Sequence, residues 1–337
     1  MLAKLMQESG NIAVIGAGSW GTALVKLLLE NQDNVTWWVR QAEAVEHIRE
    51  FRRNPNYLSY LELDTSRIKL SSNMSEVIRS ADTLIFAIPA AYLGQSLEGI
   101  QPSEFEGRTI VSAIKGMVPG SNLSIGEFFQ RQYGISSEDI GIIAGPCHSE
   151  EVAMEKLSFL TVAFKDQRKA DNLINSLASR YMRLTATTDV TGIEYAAVLK
   201  NIFAIAHGIC AGLGYGDNFL SVLTVNSIHE VKRFLSRINH VDRDINDTVY
   251  TGDLIVTAYS RFSRNRIFGT MIGKGYSVAF TKMEMKMVAE GYFAAKGIRE
   301  INRRLQVHMP VADAVYSILY EGHSPSLEMS ILSERLH

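Results

Sequence analysis

Apolar residues along this chain fall into two different textures. In the first half they form short runs: 12–15, 35–39, 68–70, 84–88, 109–113, 140–144 and 158–164 read as strands, and 182–185 adds a last one. The run at 35–39, Val-Thr-Trp-Trp-Val, is β-branched and aromatic, as a pleated surface favours. Between the runs, 20–30, 74–79 and 123–132 repeat apolar residues at helical intervals. Near-continuous apolar strands alternating with helices predict a mostly parallel sheet covered on both faces. After about Thr188 the texture changes. Residues 190–212, 219–238, 277–296 and 309–320 carry helical spacing only. The chain therefore reads as an α/β N-terminal domain over 1–189 and an all-α C-terminal domain over 190–337. No repeat, low-complexity tract or flexible linker interrupts it.

Composition narrows the function classes. At 337 residues the chain is long enough for two cores, and its 46% hydrophobic and 21% charged residues are ordinary for a globular protein. A net charge of −2 supplies no general electrostatic footprint for nucleic acid or an anionic membrane. The two cysteines, Cys147 and Cys210, make neither a disulfide framework nor a zinc-ligand spacing, and no metal is expected. Residues 1–10 hold one lysine and no apolar core of a signal peptide. No uninterrupted apolar run reaches the roughly 18–20 residues that span a bilayer. A cytoplasmic protein without a membrane span is the expectation. Oligomeric state stays open, a homodimer included.

The most informative short segment is Ile12-Ala-Val-Ile-Gly16-Ala-Gly18-Ser-Trp20-Gly21. A lone GxGxxG says little, but this one closes a strand and opens a helix, the setting of a Rossmann-type dinucleotide loop. Gly16 allows the tight turn, Gly18 lets backbone approach a pyrophosphate, and Gly21 lets helix and strand pack closely. A ligand-free turn would not need three glycines in register. At the end of the second strand an acid would bond the ribose 2′-OH, whereas an arginine accommodates a 2′-phosphate. Here Arg40 follows Trp37-Trp38-Val39 and no acid comes before Glu43, so NAD or NADP both fit, with NADP slightly favoured. A solvated arginine at a strand end is the competing, less favoured reading.

Candidate chemistry lies in polar residues set in apolar surroundings. The helix around Glu194-Tyr-Ala-Ala-Val-Leu-Lys200-Asn201-Ile-Phe-Ala-Ile-Ala-His207 is apolar nearly all round and should be buried. Burial disfavours a lysine's charged form and brings it toward the range useful for acid–base work. Snorkelling to solvent is the competing reading of Lys200. Asn201 can hydrogen-bond a substrate oxygen, and His207 reads as a core residue or a supporting one. Lys115-Gly116 ends the strand at 109–113, where ligands bind in open α/β sheets. Asp253, Thr257, Ser263, Arg264, Asn265 and Arg266 combine a carboxylate, hydroxyls and clustered guanidinium groups, whose planar forks suit phosphate oxygens.

As a set these residues resemble the NAD(P)-dependent glycerol-3-phosphate dehydrogenases, from about Ile12 to about Gly322. The landmarks are Gly16-Ala-Gly18-Ser-Trp20-Gly21, Ile114-Lys115-Gly116, Gly145-Pro146, Ala197-Val-Leu-Lys200-Asn201, Gly212-Leu-Gly214-Tyr-Gly216-Asp217-Asn218, Gly252-Asp253-Leu-Ile-Val-Thr257, Ser263-Arg264-Asn265-Arg266 and Val288-Ala-Glu290-Gly291. The resemblance implies reversible reduction of dihydroxyacetone phosphate to sn-glycerol 3-phosphate, feeding phospholipid synthesis, by a Rossmann-type domain followed by a helical one. It implies Lys200 as proton donor and acceptor, with Lys115 and Asp253 completing the catalytic set. It also implies Gly145, Cys147, Asn201, Ser263, Arg264 and Asn265 around the substrate. Ser19, Trp20, Arg40, Lys115, Ser149, Arg264, Val288 and Glu290 would meet the nucleotide. One segment departs from the family: Gly145-Pro146-Cys147-His148-Ser149 places a thiol where a polar residue is usual and a serine where alanine is. No base is assigned to Cys147, so a nucleophilic role is disfavoured. A related hydroxyacid or opine dehydrogenase should lack the Ser263-Arg264-Asn265 phosphate clamp. A non-catalytic nucleotide sensor should lack Lys200 or Asp253.

Overall fold

The structure is a computed structural model that describes residues 10–285 and 288–336. Residues 1–9, where no signal peptide is expected, lie outside them. The chain divides into two compact units. One comprises residues up to Ile88, Tyr92–Ile114 and Gly126–Val190; the other comprises Pro89–Ala91, Lys115–Ile125 and the chain from Thr191 onward.

The first unit is built on an eight-stranded sheet of order β3-β2-β1-β4-β5-β6-β7-β8. Its strands are β1 (Ile12–Ile15), β2 (Val35–Trp38), β3 (Ile68–Ser71), β4 (Thr83–Phe86), β5 (Thr109–Ser112), β6 (Ile140–Ala144), β7 (Ser158–Ala163) and β8 (Met182–Thr187). Helices α1 (Ser19–Leu28), α2 (Ala42–Phe51), α3 (Met74–Arg79), α4 (Ala90–Ser96), α5 (Ile125–Tyr133), α6 (Ser149–Ala153) and α7 (Gln167–Leu177) follow successive strands. Every residue of β1 and β2 is buried, which is why these strands read as unbroken apolar runs. β1 pairs in parallel with both β2 and β4, so the chain reverses its winding there and opens a crevice beyond the carboxyl ends of β1 and β4.

Two strands depart from the expected parallel order: β7 runs antiparallel to β6, and β8 pairs in parallel with β7. The connection explains it. The only helix between β6 and β7 has five residues, hence a length of about 7.5 Å. A five-residue strand spans roughly 17 Å, so so short a helix cannot carry the chain back to the starting edge of the sheet.

The second unit is helical, and among the described residues after Thr191 there is no strand. Its helices are α8 (Val190–Gly212), α9 (Asp217–Ile238), α10 (Asp253–Tyr259), α11 (Arg264–Gly273), α12 (Val278–Glu284), α13 (Glu290–Leu305), α14 (Pro310–Tyr316) and α15 (Pro325–Ser333). By length and composition α8 could cross a membrane, yet residues 192–210 are all buried against protein. Helix α11 packs directly on α8 through glycines. A Cβ on Gly212 would lie 2.9 Å from the Gly273 Cα, and one on Gly269 would lie 2.9 Å from the Ile209 nitrogen. Only hydrogen at these positions allows backbone to meet backbone, and the contact holds the helix carrying Lys200 against the one that begins at Arg264. The buried Glu230 of α9 accepts the N–H groups of Val311 (2.6 Å) and Ala312 (3.1 Å), satisfying the start of α14.

Two expected helices are broken. The segment 277–296 forms α12 and α13, because Met285 leaves helical geometry at φ −76°, ψ 113°; Lys286 and Met287 lie outside the described residues. The segment 309–320 stops as an α-helix at Tyr316 and continues as a wider π-helical turn, Ser317–Glu321, ending at Gly322 with φ 75°.

Candidate active site

The glycine loop is held from behind by side chains that its motif does not contain. Gly16 has φ +125°, and a Cβ there would lie 2.6 Å from the Ala87 carbonyl oxygen. Trp37 donates its indole N–H to the Gly16 carbonyl at 2.9 Å. Asn54 donates to the Ala17 carbonyl and to Thr22 Oγ1, both at 2.9 Å, and Thr22 donates to the Gly18 carbonyl at 3.0 Å. The sequence gives no warning of Asn54, because it stands in a polar turn far along the chain.

The front of the loop is open. Nothing lies within 4 Å of a Cβ built on Gly18, and Gly18 caps α1 without any side-chain hydrogen bond. The first-turn N–H groups of α1 are thus left for an anion, and the helix dipole favours one. Ser19 is buried at the start of α1, Gly21 packs where a Cβ would meet the Gly16 carbonyl, and Trp20 keeps a buried indole N–H with no partner. Arg40 is exposed just past β2. These features fit a dinucleotide pyrophosphate. In the same unit Gly145 follows β6 with φ +136°, Cys147 is buried and outside any disulfide, and Ser149 begins α6 with its hydroxyl 3.0 Å from Glu150 Oε2.

The second unit gathers the charged residues. Lys200 is not a snorkelling lysine: its side chain is 4% exposed, and its Nζ pairs with Asp253 Oδ1. Asp253, 2% exposed, begins α10 directly after a π-helical turn, Thr248–Gly252. Its second oxygen lies 3.7 Å from Lys115 Nζ, and Lys115 is 21% exposed. One carboxylate thus serves two ammonium groups, and with both protonated the cluster keeps one excess positive charge. Burial pushes the Lys200 pKa well below the ordinary lysine range; Asp253 opposes that shift and the nearby Lys115 charge adds to it. Sequence reasoning left the contest between burial and carboxylate undecided, and here burial prevails.

The neighbours are arranged around this cluster. Ser263 caps α11 by accepting the Arg266 N–H at 3.3 Å, Arg264 is exposed at the first turn, and Asn265 is buried. The Asn201 N–H groups reach the carbonyls of Lys115 (2.6 Å) and Ala197 (3.3 Å). Val288 precedes α13, and Glu290 opens it, accepting the Ala90 N–H at 2.9 Å. The other Glu290 oxygen is buried without a hydrogen-bond partner. Burial pushes this carboxyl up to about 7, against the pull of the Ala90 N–H and of Arg264. His207 bonds inward, Nδ1–H to the Phe203 carbonyl at 2.8 Å and Nε2 to Thr224 Oγ1 at 2.9 Å, as a core residue does.

Comparison with known proteins agrees across the chain. The C-terminal model of the NAD-dependent glycerol-3-phosphate dehydrogenases matches residues 189–330 and the N-terminal model matches residues 11–170. A glycerol-3-phosphate dehydrogenase [NAD(P)+] of Bacillus subtilis is 32% identical over 96% of this chain and 94% of its own. One from Latilactobacillus sakei is 35% identical over 96% of both chains. Among solved structures, glycerol-3-phosphate dehydrogenase from Coxiella burnetii shares the fold with a TM-score of 0.89 at 24% identity, covering 96% of this chain and 99% of its own. On the matches of both halves and the identity along nearly the full length, this chain belongs to the NAD-dependent glycerol-3-phosphate dehydrogenase family.

Proposed function

We propose that this protein is an NAD(P)-dependent sn-glycerol-3-phosphate dehydrogenase that interconverts dihydroxyacetone phosphate and sn-glycerol 3-phosphate, supplying glycerophospholipid synthesis. The observation that carries the reading is the buried Lys200–Asp253 ion pair with Lys115 beside it. Bound NAD(P)H supplies the hydride for the carbonyl carbon. Negative charge then grows on the substrate oxygen, and Lys200 stabilises it and delivers a proton to it. Asp253 favours the charged form of Lys200 against burial and holds it in place, while Lys115 adds the excess positive charge of the cluster. In the reverse direction a neutral Lys200 takes the hydroxyl proton. Arg264, exposed at the first turn of α11, is the residue for the substrate phosphate, whose binding energy orients the remote carbonyl. Gly145, Cys147, Ser263 and Asn265 complete the substrate set. Gly16, Gly18, Ser19, Trp20, Gly21, Arg40, Ser149, Val288 and Glu290 serve the nucleotide.

We read 1–189 as the dinucleotide-binding domain and 190–337 as the substrate domain, with Lys115 contributed to the latter's chemistry. A cytoplasmic setting is supported by Cys147 and Cys210, neither of which is in a disulfide. The exposed apolar side chains Ile267, Tyr276, Phe280 and Met283 suit a homodimer, which light scattering on the purified protein reads directly.

The direct test is oxidation of NADH and NADPH with dihydroxyacetone phosphate against unphosphorylated hydroxy and keto acids. Turnover is expected with the phosphorylated ketone only. Turnover with keto acids alone would favour a hydroxyacid dehydrogenase, and binding of nucleotide without turnover would favour a sensor. In the same assay Arg40→Ala is expected to weaken NADPH about ten-fold, from loss of a charge-assisted contact to the 2′-phosphate, and NADH far less. Equal losses for both cofactors would remove Arg40 from the adenosine end.

A further inference from the structure

Arg266 is the one guanidinium of the run Ser263-Arg264-Asn265-Arg266 that the proposed step does not use. It stands two residues from Arg264 on α11, and a helix turns through about 200° over that interval. The two groups therefore lie on opposite sides of α11. Arg266 starts a stripe that continues through Ile267, Thr270, Met271 and Lys274 and lines a groove of about 610 Å³. Gly269 and Gly273 turn another side of the helix onto α8. Gly275, with φ +96°, directs the chain toward α12, and Ser277 caps that helix by accepting the Phe280 N–H at 3.2 Å. Tyr276, Phe280 and Glu284 line the groove from beyond this turn, and Arg261 lines it as well.

Three kinds of side chain meet there. Among the described residues, Arg261, Arg266 and Lys274 make no ion pair. Residues 260–284 hold five Lys or Arg and one acid, in a chain of net charge −2, so the positive charge is local. Tyr276 and Phe280 stack with ring centroids 5.4 Å apart and planes 14° apart, and they are 49% and 44% exposed. Each ring covers one face of the other, which leaves an outer aromatic face for a planar group. Glu284 is the single carboxylate of the groove.

Inorganic phosphate would use the cations and leave the rings idle. A hydrocarbon chain would use the rings and leave the cations unmatched, and an anionic head on such a chain gives Glu284 nothing to accept. A nucleoside polyphosphate uses all three. Its phosphates suit the guanidinium forks and the ammonium, its base stacks on the ring pair, and the carboxylate accepts the base's N–H groups. Guanine presents two such donors side by side, its ring N–H and its amino group, whereas adenine sets an acceptor beside its amino group. We propose that the groove between α11 and α12 binds a guanine nucleoside polyphosphate, with Arg261, Arg266 and Lys274 at the phosphates, Tyr276 and Phe280 against the base, and Glu284 at its N–H edge. The volume falls within the range of small-molecule pockets, roughly 300–1,000 Å³. The groove belongs to the second unit and the glycine loop to the first, so this is a nucleotide site additional to the dinucleotide loop. A polyanion there neutralises the cations and leaves Met283, 85% exposed and outside the groove lining, to a second copy.

The test is calorimetric titration of the full chain with guanosine diphosphate in the presence of saturating NADH, which occupies the glycine loop. One equivalent is expected to bind, about ten-fold or more tightly than inorganic phosphate, guanosine or adenosine diphosphate. Arg266→Ala and Phe280→Ala should each weaken it about ten-fold, through loss of a charge-assisted contact and of a stacking surface. Glu284→Gln should erase the preference over adenosine diphosphate. The site is overturned if guanosine diphosphate does not bind, if NADH competes with it, or if inorganic phosphate binds as tightly. Unchanged affinity in Arg266→Ala and Phe280→Ala, or light scattering showing a dimer that excludes the nucleotide, would overturn it too. If thermal denaturation shows Arg266→Ala to be unfolded, the exposed Lys274→Ala is scored in its place. Should the protein fail to bind NADH, the variants still decide, because they alter the unit that lacks the glycine loop.

Discussion

Replacing Lys200 by alanine is expected to lower kcat for reduction of dihydroxyacetone phosphate by roughly a thousand-fold or more. A positioned general acid contributes about 10²–10⁴-fold, and a charge aimed at a developing oxyanion contributes about 10²–10³-fold. Lys200 performs both tasks in the proposed step. The expected loss is therefore in kcat, with affinity for NADH preserved, because the glycine loop and its supports, Trp37 and Asn54, belong to the other unit. Folding can be checked by thermal denaturation. Asp253 would lose its closer partner but retain Lys115 at 3.7 Å, so the carboxylate is not left without a countercharge. A Lys200→Ala protein that keeps more than about a tenth of its turnover would remove this lysine from the chemistry.

The second large effect concerns the carboxylate. Asp253→Asn conserves volume and removes the charge that opposes burial at Lys200. With the parent, reduction requires the ammonium form, so kcat should fall as pH rises through a Lys200 pKa that burial has depressed below the usual value of about 10.4. Oxidation of glycerol 3-phosphate requires the neutral amine and should rise over the same interval. In Asp253→Asn, burial and the Lys115 charge act unopposed, and the ammonium form is lost at lower pH. Reduction near neutral pH should drop about a hundred-fold, and its pH profile should move toward acid. A variant whose profile matches the parent's would show that Asp253 does not govern the lysine.

Much of this arrangement was legible in the chain. Helix 190–212 and strands 12–15 and 140–144 are bounded in the structure as the apolar pattern implies, because each is buried nearly throughout and its ends coincide with loss of apolar residues. The glycine loop was legible for the same reason: its strand-to-helix setting is local. The direction of β7 was not, since it depends on the length of one short helix rather than on any property of the strand. The break between α12 and α13 was hidden by apolar spacing that continues across it.

At the site, local and non-local information separate in the same way. A lysine within an all-apolar helix signals its own burial, and Ser263, Arg264 and Asn265 stand together in the sequence. Neither reveals that Asp253 answers two lysines at once. The protein partners of Asn201, Lys115 and Asn265, were not legible because they are remote in sequence. Its polar atoms suit a substrate oxygen when considered alone, yet the fold commits its N–H groups to backbone carbonyls. Asn54 carries no motif at all, and only the folded loop shows why it is there.

The most direct test of the account is single-turnover oxidation of NADH by Lys200→Ala with dihydroxyacetone phosphate, measured with and without added methylammonium. If the ammonium of Lys200 is the proton donor, the variant should be slow alone and should recover in proportion to amine concentration. Rapid turnover without amine would contradict the account.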